Sequence, residues 1–159
     1  MDRFFIVPLV LSCGLWIGCG QQSKTVTSPD GSKATVTQKG DGAEVKFTAA
    51  NGETVHVAGS ESGVALPEGF PNDVPIYAGA KVTAGAKTKE MTTAILTTAD
   101  PVKKVIDFYG EKLKANGWAI QHTMSAEEGG MVMATKGKTT CSVNAARSDE
   151  QTTVSLGLR

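Results

Sequence analysis

The chain has 159 residues, of which 40% are hydrophobic, and its 16 basic side chains balance its 16 acidic ones. A chain of this length can hold one ordinary domain or two small ones. Because it has no basic excess and no stripe of Lys or Arg that could neutralise phosphates, the composition argues against nucleic acid as a partner.

The N-terminal segment has the layout of a secretory signal. Residues 4–17 are almost wholly apolar, Arg3 precedes them, and polar residues follow from Gln21. This run is short for a membrane span, so we interpret residues 1–18 as a signal peptide that is removed. The sequence LWIGCG around Cys19 resembles the lipobox of bacterial lipoproteins, in which the Cys thiol is acylated and becomes the new N-terminus. Two alternatives stay open: Cys13 is the acylated residue, or Cys19 is an ordinary cysteine after a signal cut elsewhere.

An acylated Cys19 would anchor the mature protein to a membrane through lipid chains such as palmitate, without a polybasic patch. The resemblance implies sorting to the periplasmic face of the outer membrane if the source has two membranes, because Gly20 stands in place of Asp. Otherwise it implies the outer face of the cytoplasmic membrane. Cys141 is then the one remaining thiol of the mature chain and has no partner for an intramolecular disulfide. Its alternation with Val143 and Ala145 predicts a buried, small apolar residue.

After a short tether at 19–24, residues 25–64 repeat with a period of ten. The four repeats read TVTSPDGSKA, TVTQKGDGAE, VKFTAANGET and VHVAGSESGV. Each begins with a β-prone stretch, and the first three continue into a turn that contains Gly and Asp or Asn, which predicts a meander of four antiparallel strands. Its large apolar side chains are too few for an independent core, so the meander needs a partner surface or is a loosely ordered stalk. The alternative is low-complexity Thr/Gly/Val sequence.

A Pro-rich linker is predicted at 65–76, and a second domain at 77–159. In that domain Asp100 is the predicted N-cap of a helix with Pro101 at its first position, and Asn116-Gly117 ends it. Apolar residues recur between them at helical spacing and form one stripe: Val102, Val105, Ile106, Tyr109 and Leu113.

Alternating patterns predict two strands before this helix and four after it, at 80–86, 91–98, 118–124, 131–136, 140–146 and 152–158. The sequence therefore predicts an α+β fold, in which one amphipathic helix packs on an antiparallel sheet as a two-layer sandwich preceded by the small β-meander.

Three stretches of this half resemble envelope lipoproteins of bacteria that have no assigned activity. They are LPEGFPNDVPIYAGAKV, TTADPVKKVIDFYGEKLKANGW and the closing TVSL strand. In those proteins a Pro-rich segment leads into a ββαββββ domain. More distantly, a helix that ends in Gly-Trp and is wrapped by a sheet is similar to the helix-grip modules of barrel-assembly lipoproteins. The resemblance implies a fold and an envelope location, and no catalytic residues.

The residues themselves predict no enzyme and no cofactor. His56 and His122 lie in different halves, and neither has metalloprotease spacing or a nucleophile elbow beside it. Glu127 and Glu128 are interpreted as solvated charges at a hairpin tip. The Asp and Asn residues of the repeat fit turn geometry better than calcium coordination.

One grouping suggests a ligand site. Trp118, Ile120, His122 and Met124 would share one strand face, and a hairpin pairing 124 with 131 and 122 with 133 would add Met131 and Met133. Thioethers and an imidazole suit a soft cation such as Cu(I) or Ag(I), so a metal site at His122, Met124, Met131 and Met133 is one interpretation. The other is that this face packs on the helix, with Met filling irregular gaps.

We therefore expect a non-enzymatic, membrane-anchored envelope lipoprotein that binds or scaffolds another envelope protein or a glycan. The alternative function is binding of a small ligand or soft metal through the Met/His/Trp face.

Overall fold

The computed structural model describes residues 22–159. The predicted signal peptide at 1–18, Cys13 and the predicted acylation site Cys19 lie outside the described residues. The described part contains one helix, α1 (Val102–Ala115), and ten strands: β1 (Gln22–Thr27), β2 (Lys33–Lys39), β3 (Gly42–Thr48), β4 (Thr54–Gly59), β5 (Lys81–Lys87), β6 (Thr92–Thr98), β7 (Ala119–Ser125), β8 (Gly129–Lys136), β9 (Thr139–Ser148) and β10 (Gln151–Leu158).

All ten strands belong to one antiparallel sheet, in the order β1-β2-β3-β4-β5-β6-β10-β9-β8-β7. The prediction of an α+β two-layer sandwich is wrong, because the protein is mainly β. The meander adds its four strands to the same sheet through the pairing of β4 with β5. The single helix contacts β7, β8 and β9, so much of the sheet has no helix over it.

The meander forms the four antiparallel strands that the repeat predicts. Its first three turns each place a glycine at positive φ, at Gly31 (86°), Gly40 (64°) and Gly52 (81°). Glycine adopts this conformation without the steric penalty that other residues incur, so these glycines set where each strand ends. In the second turn the residue at positive φ is Gly40, before Asp41, and not Gly42 of the Asp41-Gly42 pair.

The helix prediction is confirmed, and its five predicted stripe residues are all buried. The prediction that Asp100 caps the helix is wrong: Pro101 is the N-cap residue and no side chain caps the helix. The Asp100 carboxylate instead accepts hydrogen bonds from the Tyr77 hydroxyl at 2.8 Å and the Lys104 ammonium at 2.9 Å. It thereby ties the chain before β5 to the first turn of the helix.

The core lies between the sheet and a layer made of the helix and the Pro-rich segment. Val74 and Tyr77 are buried in the same cluster as the helix stripe, and Phe70 packs against it. Tyr77 also contacts Phe108 edge-to-face, with 5.0 Å between the ring centroids. Residues 65–76, the predicted linker, form no helix or strand, and Pro67 of this segment lies against Gly85 of β5. Within residues 22–159, no helix is long and apolar enough to cross a membrane.

Candidate functional site: the sheet face opposite the helix

The hairpin of β7 and β8 pairs the residues that the sequence analysis singled out. Met124 lies opposite Met131, and His122 lies opposite Met133. The predicted pairing is therefore confirmed. Side chains directly opposite each other in an antiparallel pair have Cβ atoms about 4.5–5.5 Å apart, so the four side chains are neighbours.

A β-bulge decides which side of the sheet these residues occupy. The register shifts between Ile120 and His122, which leaves Gln121 without an opposite residue. Such a bulge interrupts the strict alternation of side chains along a strand. Trp118 and Ile120 consequently pack with the core, whereas His122 does not. The prediction that Trp118 and Ile120 share a face with His122 and Met124 is wrong.

The interpretation of these methionines as core residues is also wrong. Val132 and Ala134 of β8 are fully buried, and both belong to the core cluster beneath the helix. Their neighbours Met131 and Met133 alternate with them and point to the opposite side. Met133 is 37% exposed and Met124 is 55% exposed. We call this side of the sheet, opposite the helix, the outer face.

The large apolar side chains of the meander lie on the same outer face. Register connects them: Val36 is opposite Val45, which is opposite Val57, and Val57 is opposite Ala86 of β5. From Ala86 the row continues across β6, β10 and β9 to Met133. Six residues of β1–β4 form what we call the apolar patch: Val26, Val36, Val45, Phe47, Val55 and Val57.

The apolar patch is open to solvent. Val26 is 55% exposed, Val57 43%, Phe47 42% and Val36 38%. The strand residues of the outer face, all in the described part of the chain, include no Asp or Glu. The apolar patch is therefore an exposed apolar surface whose strands carry no carboxylate on that face, and exposed apolar patches mark interaction sites.

The helix side of the meander is polar, whereas its outer face is apolar. The charged side chains on the helix side alternate with the valines and are Lys33, Lys39, Glu44 and Lys46, and His56 lies on the same side. A shallow pocket of about 310 Å³ lies on this side, and Glu44, His56, Pro67 and Lys87 are among the residues that line it. His56 and His122 are thus on opposite sides of the sheet. Among residues 22–159, no three His, Cys, Asp or Glu side chains are grouped so that they could hold a metal ion.

Two acidic residues of the meander turns accept hydrogen bonds from serines, Asp30 within its own turn and Asp41 of the β2–β3 turn from the loop after β4. Asp30 accepts hydrogen bonds from the backbone and hydroxyl of Ser32. Asp41 accepts from the Ser60 hydroxyl at 2.8 Å and from the Ser62 amide and hydroxyl, and these hydrogen bonds lower the pKa of the Asp41 carboxyl to about 2. The two carboxylates are satisfied by separate serines and do not converge on one cation. Asp30 agrees with the interpretation as a turn residue, whereas Asp41 joins the β2–β3 turn to the loop after β4.

Cys141 is the small buried residue that the strand pattern predicts. It is fully buried in the core, and burial raises the pKa of its thiol to about 11. A thiol with so high a pKa is almost entirely protonated at neutral pH, and the thiolate is the reactive form. Cys141 therefore packs as a small apolar residue beneath the helix.

The comparison with known proteins concerns the C-terminal part of the chain. Residues 80–153 are similar to a family model described as START domain-like. The match runs from β5 through the helix into β10 and omits the meander. No curated protein matches the chain, and no solved structure matches it.

Proposed function

We propose that this chain is a membrane-anchored lipoprotein of the cell envelope that binds or scaffolds another envelope component, a protein or a glycan, without catalysis. The observation that carries the proposal is the outer face, where apolar side chains are exposed from Phe47 and Val57 at one end to Met124 and Met133 at the other, and the strands contribute no carboxylate. A sheet face of this composition gains free energy when a partner covers it, since burial of apolar surface contributes about 25 cal/mol per Å².

The anchor in this proposal is an acyl group on Cys19. Its support is the apolar N-terminal run that ends at LWIGCG. Several acyl chains on one cysteine hold a protein on a membrane firmly, whereas one chain does not. The module would then be secreted across the cytoplasmic membrane and remain on its outer face, or on the periplasmic face of an outer membrane.

The test of the anchor compares two cysteine variants of the full chain. Cys19→Ala should release the protein from isolated membranes and abolish incorporation of labelled palmitate. Cys13→Ala should stay on the membranes and still incorporate palmitate. If Cys13→Ala loses palmitate and Cys19→Ala keeps it, the acylated residue is Cys13. If the unmodified chain takes up no palmitate and stays in the soluble fraction, the lipoprotein proposal is refuted.

A second candidate function is binding of a soft cation, Cu(I) or Ag(I), by His122, Met124, Met131 and Met133. The observation that favours it is that two cross-strand pairs, Met124 with Met131 and His122 with Met133, are adjacent on the exposed outer face. Thioether sulfur and imidazole nitrogen are ligands that such cations prefer.

Titration of the reduced protein with Cu(I) against a competing chelator tests this second candidate. His122→Ala and Met133→Leu should each weaken Cu(I) binding, because each removes one ligand. Met91→Leu is the matched control, since Met91 is also exposed (48%) but lies outside the hairpin. Equal affinities in all three variants and the parent would rule the site out.

A further inference from the structure

We propose that the apolar patch of the meander lies on the lipid bilayer to which the chain is anchored. This goes beyond the proposed function: it assigns the β1–β4 end of the outer face to the bilayer, leaves the β5–β10 part to the protein or glycan partner, and rests on the lipid anchor at Cys19. It concerns the six apolar residues defined above, on strands β1–β4, and not the Met/His hairpin at the other end of the sheet.

The meander exposes the side chains that sheets normally bury. An antiparallel sheet with one solvated face usually turns its apolar residues to the core and its polar residues to water. In β5–β10 the valines and leucines do face the helix, as Val132 and Leu156 show. In β1–β4 the pattern is reversed, with Lys46 on the helix side and Phe47 on the outer face. The meander thus has an apolar face for which the described part of the chain provides no cover.

Only a short length of chain separates the anchor from the patch. Cys19 is three residues before Gln22, where β1 begins. Three residues reach at most about 10 Å when fully extended. An acyl group on Cys19 therefore holds β1 close to the bilayer surface, and Val26 of the apolar patch is in that same strand.

The outer face of β1–β4 carries little charge. On the outer face of β1–β4, Lys24 is the one charged strand residue, and the carboxylate of β3, Glu44, points to the helix side. Anionic headgroups would consequently not be repelled from the patch. Asp or Glu on this face would repel such headgroups. A basic residue contributes about 1 kcal/mol of attraction to an anionic membrane where it is close to the surface.

A second copy of the chain is the competing occupant, since two such faces could stack as a sandwich. The bilayer is favoured because the anchor makes its contact with the patch intramolecular. A tethered contact benefits from a high effective concentration, so even a modest apolar face is enough to keep the patch on the bilayer. A copy of the chain must instead be met by diffusion in the membrane.

Tryptophan placed on each side of β3 distinguishes these occupants. The acylated full chain is reconstituted into vesicles of phosphatidylethanolamine and phosphatidylglycerol, with and without brominated acyl chains. Phe47→Trp puts the probe in the patch, and Lys46→Trp puts it one residue away on the helix side. Trp118, which is 3% exposed in the core, contributes a constant fluorescence background, and this background is measured on the parent protein.

We expect the emission of Phe47→Trp to shift to the blue in vesicles and to be quenched by brominated lipid, while Lys46→Trp shows neither change. Adding Val57→Asp to Phe47→Trp should abolish the quenching. Val57 is 43% exposed already, so thermal unfolding of the double variant should match that of Phe47→Trp.

Three results would overturn the inference. Equal quenching of the two single variants, or quenching that persists with Val57→Asp, would mean that the patch is not the contact. A blue shift without quenching that disappears when the protein is diluted in the vesicles would assign the patch to a second copy. If the parent protein neither floats with the vesicles nor incorporates palmitate, the proposed anchor fails, whereas flotation without quenching refutes the docking alone.

Discussion

Gly130, at the start of β8, tests how closely the helix lies on the sheet. A Cβ atom at this position would be 2.5 Å from Cγ1 of Ile106 and 3.0 Å from Cγ1 of Val102. Both side chains are essentially fully buried on the helix, with exposed fractions of 1% and 0%. Neither can swing into solvent, so Gly130→Ala must move the helix away from the sheet or force the side chains off their rotamers.

The expected cost follows from two opposing effects. Extra carbon in a packed core typically costs about 1–3 kcal/mol. Replacing Gly by Ala returns about 0.4–1 kcal/mol, because the unfolded chain loses conformational freedom. We therefore expect Gly130→Ala to lower the free energy of unfolding by up to about 2.6 kcal/mol, and by about 1.3 kcal/mol at the middle of the two ranges. Gly129 is the matched control: its added Cβ would meet only the carbonyl oxygen of Ala145, at 3.8 Å.

Urea unfolding followed by far-UV circular dichroism measures the difference. Gly129→Ala should leave the free energy of unfolding unchanged or raise it by up to about 1 kcal/mol, because it has the same effect on the unfolded chain without the overpacking. Ile106→Val, which removes Cδ1, should cost less in the Gly130→Ala background than in the parent, because the two positions are in contact. If both alanine variants unfold alike and Ile106→Val costs the same in both backgrounds, the helix does not lie flush on β8.

The remaining predictions concern titratable groups. Hydrogen bonds from Lys104 and Tyr77 lower the pKa of Asp100 below 3.8, so the folded state gains stability above the unfolded pKa and loses it as the pH falls through the folded value. Tyr77→Phe should therefore flatten the acid limb of the urea midpoint plotted against pH between about 5 and 2, and an unchanged limb would contradict this. Carboxyl NMR titration should give Asp41 a pKa of about 2, and a value near 3.8 would mean that its serine hydrogen bonds do not persist in solution. Cys141, with its pKa raised to about 11, should react with a thiol reagent at pH 8 only when urea unfolds the protein, and rapid labelling without urea would refute its burial.

The sequence alone determined most of the local structure. The helix follows from apolar residues at a spacing of 3.6, which places Val102, Ile106 and Tyr109 on one stripe whatever the surroundings are. The strands of both halves follow from alternation and from glycine turns. The hairpin pairing of Met124 with Met131 also follows, because a short turn sets the register of the two strands it joins.

Only the tertiary structure decided which side of the sheet each group occupies. Alternation shows which residues of a strand share a face, but it does not show on which face the helix packs. The bulge at Gln121 separates His122 from Trp118, and no local pattern announces it. The meander likewise has an apolar and a charged side in its sequence, yet its pairing with β5 puts Val57 in the row of Met133, away from the core. Register is transmitted from strand to strand across the whole sheet, so the outer face is a property of ten strands together and of none of them alone.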